Sequence, residues 1–270
     1  MLSRHWFQPV TNNNNSKGID METAYSPHMP SVRYGLLATL CWSCVIAFGF
    51  ILTQSFAAGI YIGMHYGRVS SAQFSGLVHS LQFNGMLLAL CTFMTLVVCS
   101  TMMLVIVKLK KGASFREYIG WRLPDRRTAK RWALVFAAFL AATDLFTLAI
   151  GKPVVTEFMT TAYLTATVPW LMFAAIIVAA PFYEELFFRG FLLSGLERSM
   201  LGPMGAICVT AALWASIHVQ YDWYGIATIF LMGLLLGWVR LRSGSLLLTI
   251  ALHSFGNLVA SVETVMSLHG

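Results

Sequence analysis

Hydrophobic and polar positions in this chain fall into long blocks, not a fine alternation. Apolar residues run almost unbroken from just after Arg33 to about 60 and from about 85 to 107. They recur at about 132–150, 168–193, 203–219, 225–241 and 245–266. Runs near 20 residues match the hydrocarbon thickness of a bilayer. Backbone groups in lipid must be satisfied internally, and no period-two pattern is visible, so these runs predict helices. The predicted fold is all-α: a polytopic transmembrane helix bundle of about seven to eight spans, the eighth being allowed by the mixed stretch 61–84.

Between the blocks the polar segments divide the chain. Residues 1–30 carry the low-complexity run "TNNNNSKG" with Pro27 and Pro30 behind it, which predicts a disordered tail. This tail lacks the basic start and apolar core of a secretory signal. Residues 31–131 read as N-terminal spans closed by a basic loop, "KLKKGASFREYIGWRLPDRRTAKR" at 108–131. Residues 132–270 read as a second helix bundle, whose core at 168–260 carries the candidate chemistry.

Composition agrees with a membrane location. The chain is 57% hydrophobic and 11% charged, with mean hydropathy +0.70, against roughly a quarter charged residues in a soluble domain. A net charge of +7 would suggest nucleic acid in a soluble protein. Here the basic residues lie between apolar blocks, so the expected partner is the lipid bilayer and no nucleic acid is expected. With the 108–131 loop in the cytoplasm, Arg4, Lys17, Arg33, nine basic loop residues, Arg198, Arg240 and Arg242 all fall on that side; only Arg68 and Lys152 fall on the other. That asymmetry predicts a cytoplasmic N-terminus. The five cysteines sit in apolar runs, and "CWSC" at 41–44 has no βαβ context, so they read as packing residues. The "GLLLG" of 233–237 predicts close helix packing within the bundle.

One block breaks the pattern. "AAPFYEELFFRGFLL" places Glu184, Glu185 and Arg189 inside apolar sequence, where each charge costs at least about 2.5–3.5 kcal/mol at the bilayer centre. Glu185 and Arg189 stand four apart with the acid first, the favourable order for one helix face. Glu184 lies about 100° around the helix. A buried structural clamp explains the pair but not Glu184. Two further polar sites follow: His218, four residues after Trp214 in "LWASIHVQ", and His253, four residues before Asn257 in "LTIALHSFGN". A carboxylate, two imidazoles and an amide donor make an inventory suited to hydrolysis. HExxH, GxSG and GxGD patterns are absent. Asp144 is a further intramembrane charge, read as a pairing or interfacial residue more than part of a cavity. Glu263 and His269 read as solvated, and His65 and His79 as interface residues.

"EELFFR", "WASIH" and "HSFGN", in this order, resemble the three motifs of the CPBP family of intramembrane proteases, which includes the CAAX prenyl proteases and bacteriocin self-immunity proteins. The resemblance covers about 168–260, with Trp214 where the family usually has Phe. It implies an intramembrane endopeptidase in which Glu184 is the general base that activates water and His218 holds that water. Glu185 and Arg189 would fix the helix, while His253 and Asn257 would donate hydrogen bonds to the oxyanion. Glu184, His218 and His253 are also a candidate His₂Glu set for Zn²⁺; metal-free glutamate catalysis fits the same residues. The implied partner is a peptide or protein substrate reached from the membrane or the cytoplasmic face, and the implied location is a bacterial inner membrane. The alternatives are a catalytically inactive immunity or scaffold protein of the same fold, and a proton-coupled transporter. The expected spans carry one tension: at 1.5 Å per residue, Glu184 and His253 lie about 13 and 12 Å from the cytoplasmic ends of their spans, but His218 about 22 Å.

Overall fold

The computed structural model describes residues 32–270, so the predicted 1–30 tail lies outside the described residues. Ten helices follow in chain order: α1 Leu36–Tyr66, α2 Ser71–Ser80, α3 Gly85–Leu109, α4 Phe115–Ile119, α5 Arg126–Ala149, α6 Glu157–Thr165, α7 Pro169–Leu196, α8 Gly202–Ser216, α9 Trp223–Ser243 and α10 Leu246–His269. Six of them (α1, α3, α5, α7, α9, α10) are long and apolar enough to cross a membrane, and α8 is a shorter apolar helix of 15 residues. The described residues therefore form an all-α polytopic bundle. The mixed stretch 61–84 holds only the end of α1 and the ten-residue α2, so it adds no further span.

The helix boundaries follow from local chemistry. Asn84 caps α3 by accepting from the Met86 and Leu87 amides, and Asp125 caps α5 through Arg127 and Thr128. Asp222 and Ser245 do the same for α9 and α10. Gly244, at φ 63°, closes α9 in the left-handed conformation that glycine adopts freely, with Arg240 and Arg242 in the last turn beside the exposed carbonyls.

Polar contacts tie down both ends of the bundle. At one end, Arg240 donates to the Ile119 carbonyl at 2.9 Å and Arg122 donates to Gly244 at 3.0 Å. Ser245 donates to the Arg122 carbonyl at 2.5 Å, and Arg33 pairs with Glu197 where α1 begins and α7 ends. Arg33, Arg122 and Arg240, three of the basic residues read as cytoplasmic, thus gather at one end. At the other end, Lys152 pairs with Asp222, Thr165 accepts from the Gly85 amide at 2.9 Å, and the His269 ring meets the Tyr163 hydroxyl at 3.1 Å. His269 is therefore partnered, not merely solvated.

Helix α7 is the centre. Of the six long spans its apolar window has the largest buried share, 44%, against 17% for α1. Its residues Phe188, Leu192 and Leu193 join a cluster with Trp132, Phe136, Ile207, Trp214 and Leu236. On the other side, Leu186 and Phe191 join Ile46, Met103, Tyr118 and Leu246. The peripheral α1 turns side chains such as Phe48 and Phe56 outward, as suits a face toward lipid. The cysteines divide: Cys91 and Cys99 are buried, Cys41, Cys44 and Cys208 lie on the outside, and all are free thiols.

Small residues allow the close approaches. A Cβ on Gly195 would fall 2.7 Å from the Thr39 Cβ, so α1 meets α7 with no room for a methyl group. Gly195→Ala is expected to destabilise the bundle by about 1–3 kcal/mol, the range for overpacking. The check is a lowered Tm in detergent; an unchanged Tm would show that α1 moves freely. Gly233 and Gly237 serve α8 in the same way, with added Cβ atoms 2.9 Å from Ala211 Cβ and 3.1 Å from Ile207 Cγ2. The expected packing role of "GLLLG" is thereby met.

Candidate active site

The glutamates sit on an irregular part of α7. Two π-helical stretches, Ala175–Ala179 and Leu186–Leu192, flank the α-helical turn Ala180–Glu185; such bulges often occur at functional sites. The first has a visible cause. In its register the Ala180 amide bonds the Ala175 carbonyl, so the next donor in line to Ile176 would be residue 181. That residue is Pro181, which has no N–H. The Ile176 carbonyl is instead met by the Asn257 side-chain amide at 2.8 Å.

Glu185 and Arg189 form the pair expected from their spacing, Nη1 to Oε1 at 2.8 Å, and both are 0% exposed. The second Arg189 nitrogen, Nη2, donates to the Gly233 carbonyl at 3.2 Å. His253 Nδ1 lies 3.1 Å from the same Glu185 Oε1. A carboxylate only accepts, so Nδ1 carries the proton and Nε2 is turned the other way. Nε2 faces Glu184 Oε2 at 4.0 Å, beyond hydrogen-bond range. Glu184 retains 8% exposure. The two adjacent acids therefore differ: Glu185 is sealed against a cation, while Glu184 keeps an open edge.

Trp214 meets this edge. Its indole Nε1 donates to Glu184 Oε2 at 2.7 Å, and its ring lies between three polar groups. The Arg189 guanidinium carbon is 4.4 Å from the ring centroid, and the His253 and His218 rings meet it edge-on at 5.1 and 5.3 Å. His218 Nδ1 is 2.7 Å from the Trp214 carbonyl, so that nitrogen carries the proton and Nε2 is left as an acceptor. The His218 ring also stacks on Tyr221 at 6.2 Å, and Tyr221 meets Phe158 of α6 at 5.6 Å.

Helix lengths explain which residues are level. Glu184 lies 12 residues before the end of α7 and Trp214 lies 12 residues after the start of α8. The tight 197–201 turn joins those ends, so both rise about 18 Å. Helix α8 stops at Ser216, short of the expected 219, and His218 lies in the turn beyond it. His218 thus reaches the group through Trp214 and not from a helix face. His253 is only seven residues into α10, so that helix begins deeper in the bundle.

Glu184, Glu185, Arg189, His218 and His253 are brought together, and Asn257 supports α7 from α10 with its amide bonded to Ile176. Trp214 as a donor and Gly233 as an acceptor are additions that sequence reasoning did not reach. The indole nitrogen was the available signal: a phenylalanine there could not donate. For zinc, no group of three His, Cys, Asp or Glu side chains able to hold a metal ion occurs among the described residues. Elsewhere, His65 stacks on Tyr61 at 4.1 Å and Asp144 is half-buried on α5.

The fold and this cluster define a class: a multi-pass membrane helix bundle with a buried glutamate, arginine and histidine site. Residues 165–259, about a third of the chain, match the family described as Rce1-like, type II CAAX prenyl endopeptidase Rce1-like. Every motif residue from Glu184 to Asn257 falls inside that range. The chain is also similar to the Escherichia coli "Uncharacterized 24.3 kDa protein", 36% identical over 101 residues, covering 36% of this chain and 46% of that protein. The similarity therefore spans about half the length of that relative. No solved structure matches the chain significantly.

Proposed function

We propose that this protein is an intramembrane endopeptidase that hydrolyses a peptide bond with a water activated by Glu184. The observation that carries the reading is the unequal treatment of the two glutamates. Glu185 is neutralised by Arg189 at 2.8 Å, while Glu184 keeps an open edge beside two histidines. A structural clamp accounts for the first and leaves the second without purpose.

In the proposed reaction Glu184 takes a proton from water, and the resulting hydroxide attacks the substrate carbonyl carbon. His218 Nε2 orients the water. His253, held at Nδ1 by Glu185, donates from a protonated Nε2 to the oxyanion; one such donor is worth about 2.7–4 kcal/mol. The proton on Glu184 then passes to the leaving nitrogen as the bond to carbon breaks, giving a free acid and a free amine. Asn257 acts through its support of the α7 backbone.

Helices α7 and α8 hold the site about 18 Å from their joined ends, so the substrate is a peptide or protein segment drawn from the membrane or the cytoplasmic face. The N-terminus is assigned to the cytoplasm because the basic residues cluster where α1 begins. A bacterial inner membrane accords with the Escherichia coli relative.

Substrate trapping tests this reading. Proteoliposomes holding the Glu184→Gln variant and a bacterial membrane extract are expected to retain uncut proteins that wild type converts to fragments. Equal fragment patterns from both proteins would overturn the proposal.

A further inference from the structure

We propose that Trp214 is a positioning residue for the base: its indole N–H fixes Glu184 through Oε2 and presents Oε1 to the water. The inference rests on reading Glu184 as the base, and it adds which oxygen acts and what holds it.

An aromatic wall needs only a phenyl ring, whereas an indole adds one donor. Indole nitrogen only donates and a carboxylate only accepts, so the direction of the 2.7 Å bond between Trp214 Nε1 and Glu184 Oε2 is fixed. Trp214 is 0% exposed, and a charge-assisted bond made away from water is stronger and more directional than an exposed one. The indole itself cannot turn, because α9 comes so close at Gly233 that an added Cβ would lie 3.1 Å from Trp214 Cε3. The carboxyl plane inherits that rigidity. Oε2 is engaged by the indole and faces His253 Nε2 at 4.0 Å, so Oε1 takes the water proton.

The Arg189 guanidinium, 4.4 Å from the indole centroid, adds a cation over the ring. A cation there draws on the π density and makes the N–H a better donor. The Glu185–Arg189 pair thus reaches Glu184 through Trp214. The same residue also holds His218 through its carbonyl at 2.7 Å. One side chain and its backbone therefore set the base and one of its two histidines.

The first test needs no substrate. In ultraviolet resonance Raman spectra of detergent-solubilised protein, wild type minus Trp214→Phe isolates the band that reports hydrogen bonding of this indole. A strongly bonded signature is expected, and it should move to the unbonded position in Glu184→Ala. A signature indifferent to Glu184→Ala would overturn the proposal. The second test uses a fluorogenic peptide that wild type cleaves and Glu184→Gln does not. Trp214→Phe keeps an aromatic ring and loses the donor, so kcat should fall about tenfold with KM within twofold, the worth of one hydrogen bond, while the smaller ring lowers Tm. Wild-type kcat in Trp214→Phe would also overturn it. Failure of wild type to cleave any peptide counts against the protease reading alone, since the Raman result decides the bond by itself.

Discussion

Glu184→Gln is expected to lower cleavage by roughly 10²–10⁴-fold, the usual contribution of a positioned general base, while the protein still inserts and melts close to wild type. The amide is nearly isosteric with the carboxylate and its oxygen can still accept from the Trp214 indole, so packing around the 0%-exposed ring is retained. What is lost is the ability to take a proton. Glu185→Gln should behave in the opposite way. That side chain holds both Arg189 and His253 through one oxygen, so its main effect is a lower Tm. Activity and thermal melts of the two variants, measured in the same detergent, separate the roles of two neighbours in sequence. Inactive Glu185→Gln at wild-type Tm, with active Glu184→Gln, would reverse the assignment.

The second large effect is on stability. Arg189→Met removes the cation from a pair that is 0% exposed at both ends and leaves the Glu185 carboxylate without its guanidinium partner. Orphaning one partner of a buried ion pair costs about 3–5 kcal/mol. The variant also gives up the bond to the Gly233 carbonyl and the cation over Trp214. Scanning fluorimetry should show a strongly lowered Tm. The double variant Glu185→Met/Arg189→Met should recover much of that loss, because apolar replacement of a buried pair is often neutral. It should not recover activity, since His253 loses the carboxylate at Nδ1. An Arg189→Met protein that unfolds at the wild-type temperature would show that the pair is not a structural clamp.

Local features of this site were legible in the sequence, and features set by helix ends were not. The Glu185–Arg189 bond follows from a spacing of four on one helix and needs nothing else. The helical spans follow from apolar blocks longer than any globular core requires. Asn257 was correctly placed on the face of His253, but its partner depends on a π register in α7 that leaves the Ile176 carbonyl opposite a proline. Pro181 was readable; the register was not. The tension over His218 came from treating 203–219 as one crossing. Helix α8 stops at Ser216, and the residue level with Glu184 is Trp214, four positions before the histidine the motif points to. Only the length of the 197–201 turn, set by tertiary packing, decides that level.

The central claim is that Glu184 and His253, from α7 and α10, act on a single reacting carbonyl. A double-mutant cycle on the cleavage rate addresses it most directly, using a substrate recovered by trapping. If the residues work as a unit, Glu184→Gln/His253→Ala is no slower than the worse single variant, as groups in one catalytic constellation are strongly non-additive. Losses that multiply in the double variant would place the two side chains in separate events and contradict the account.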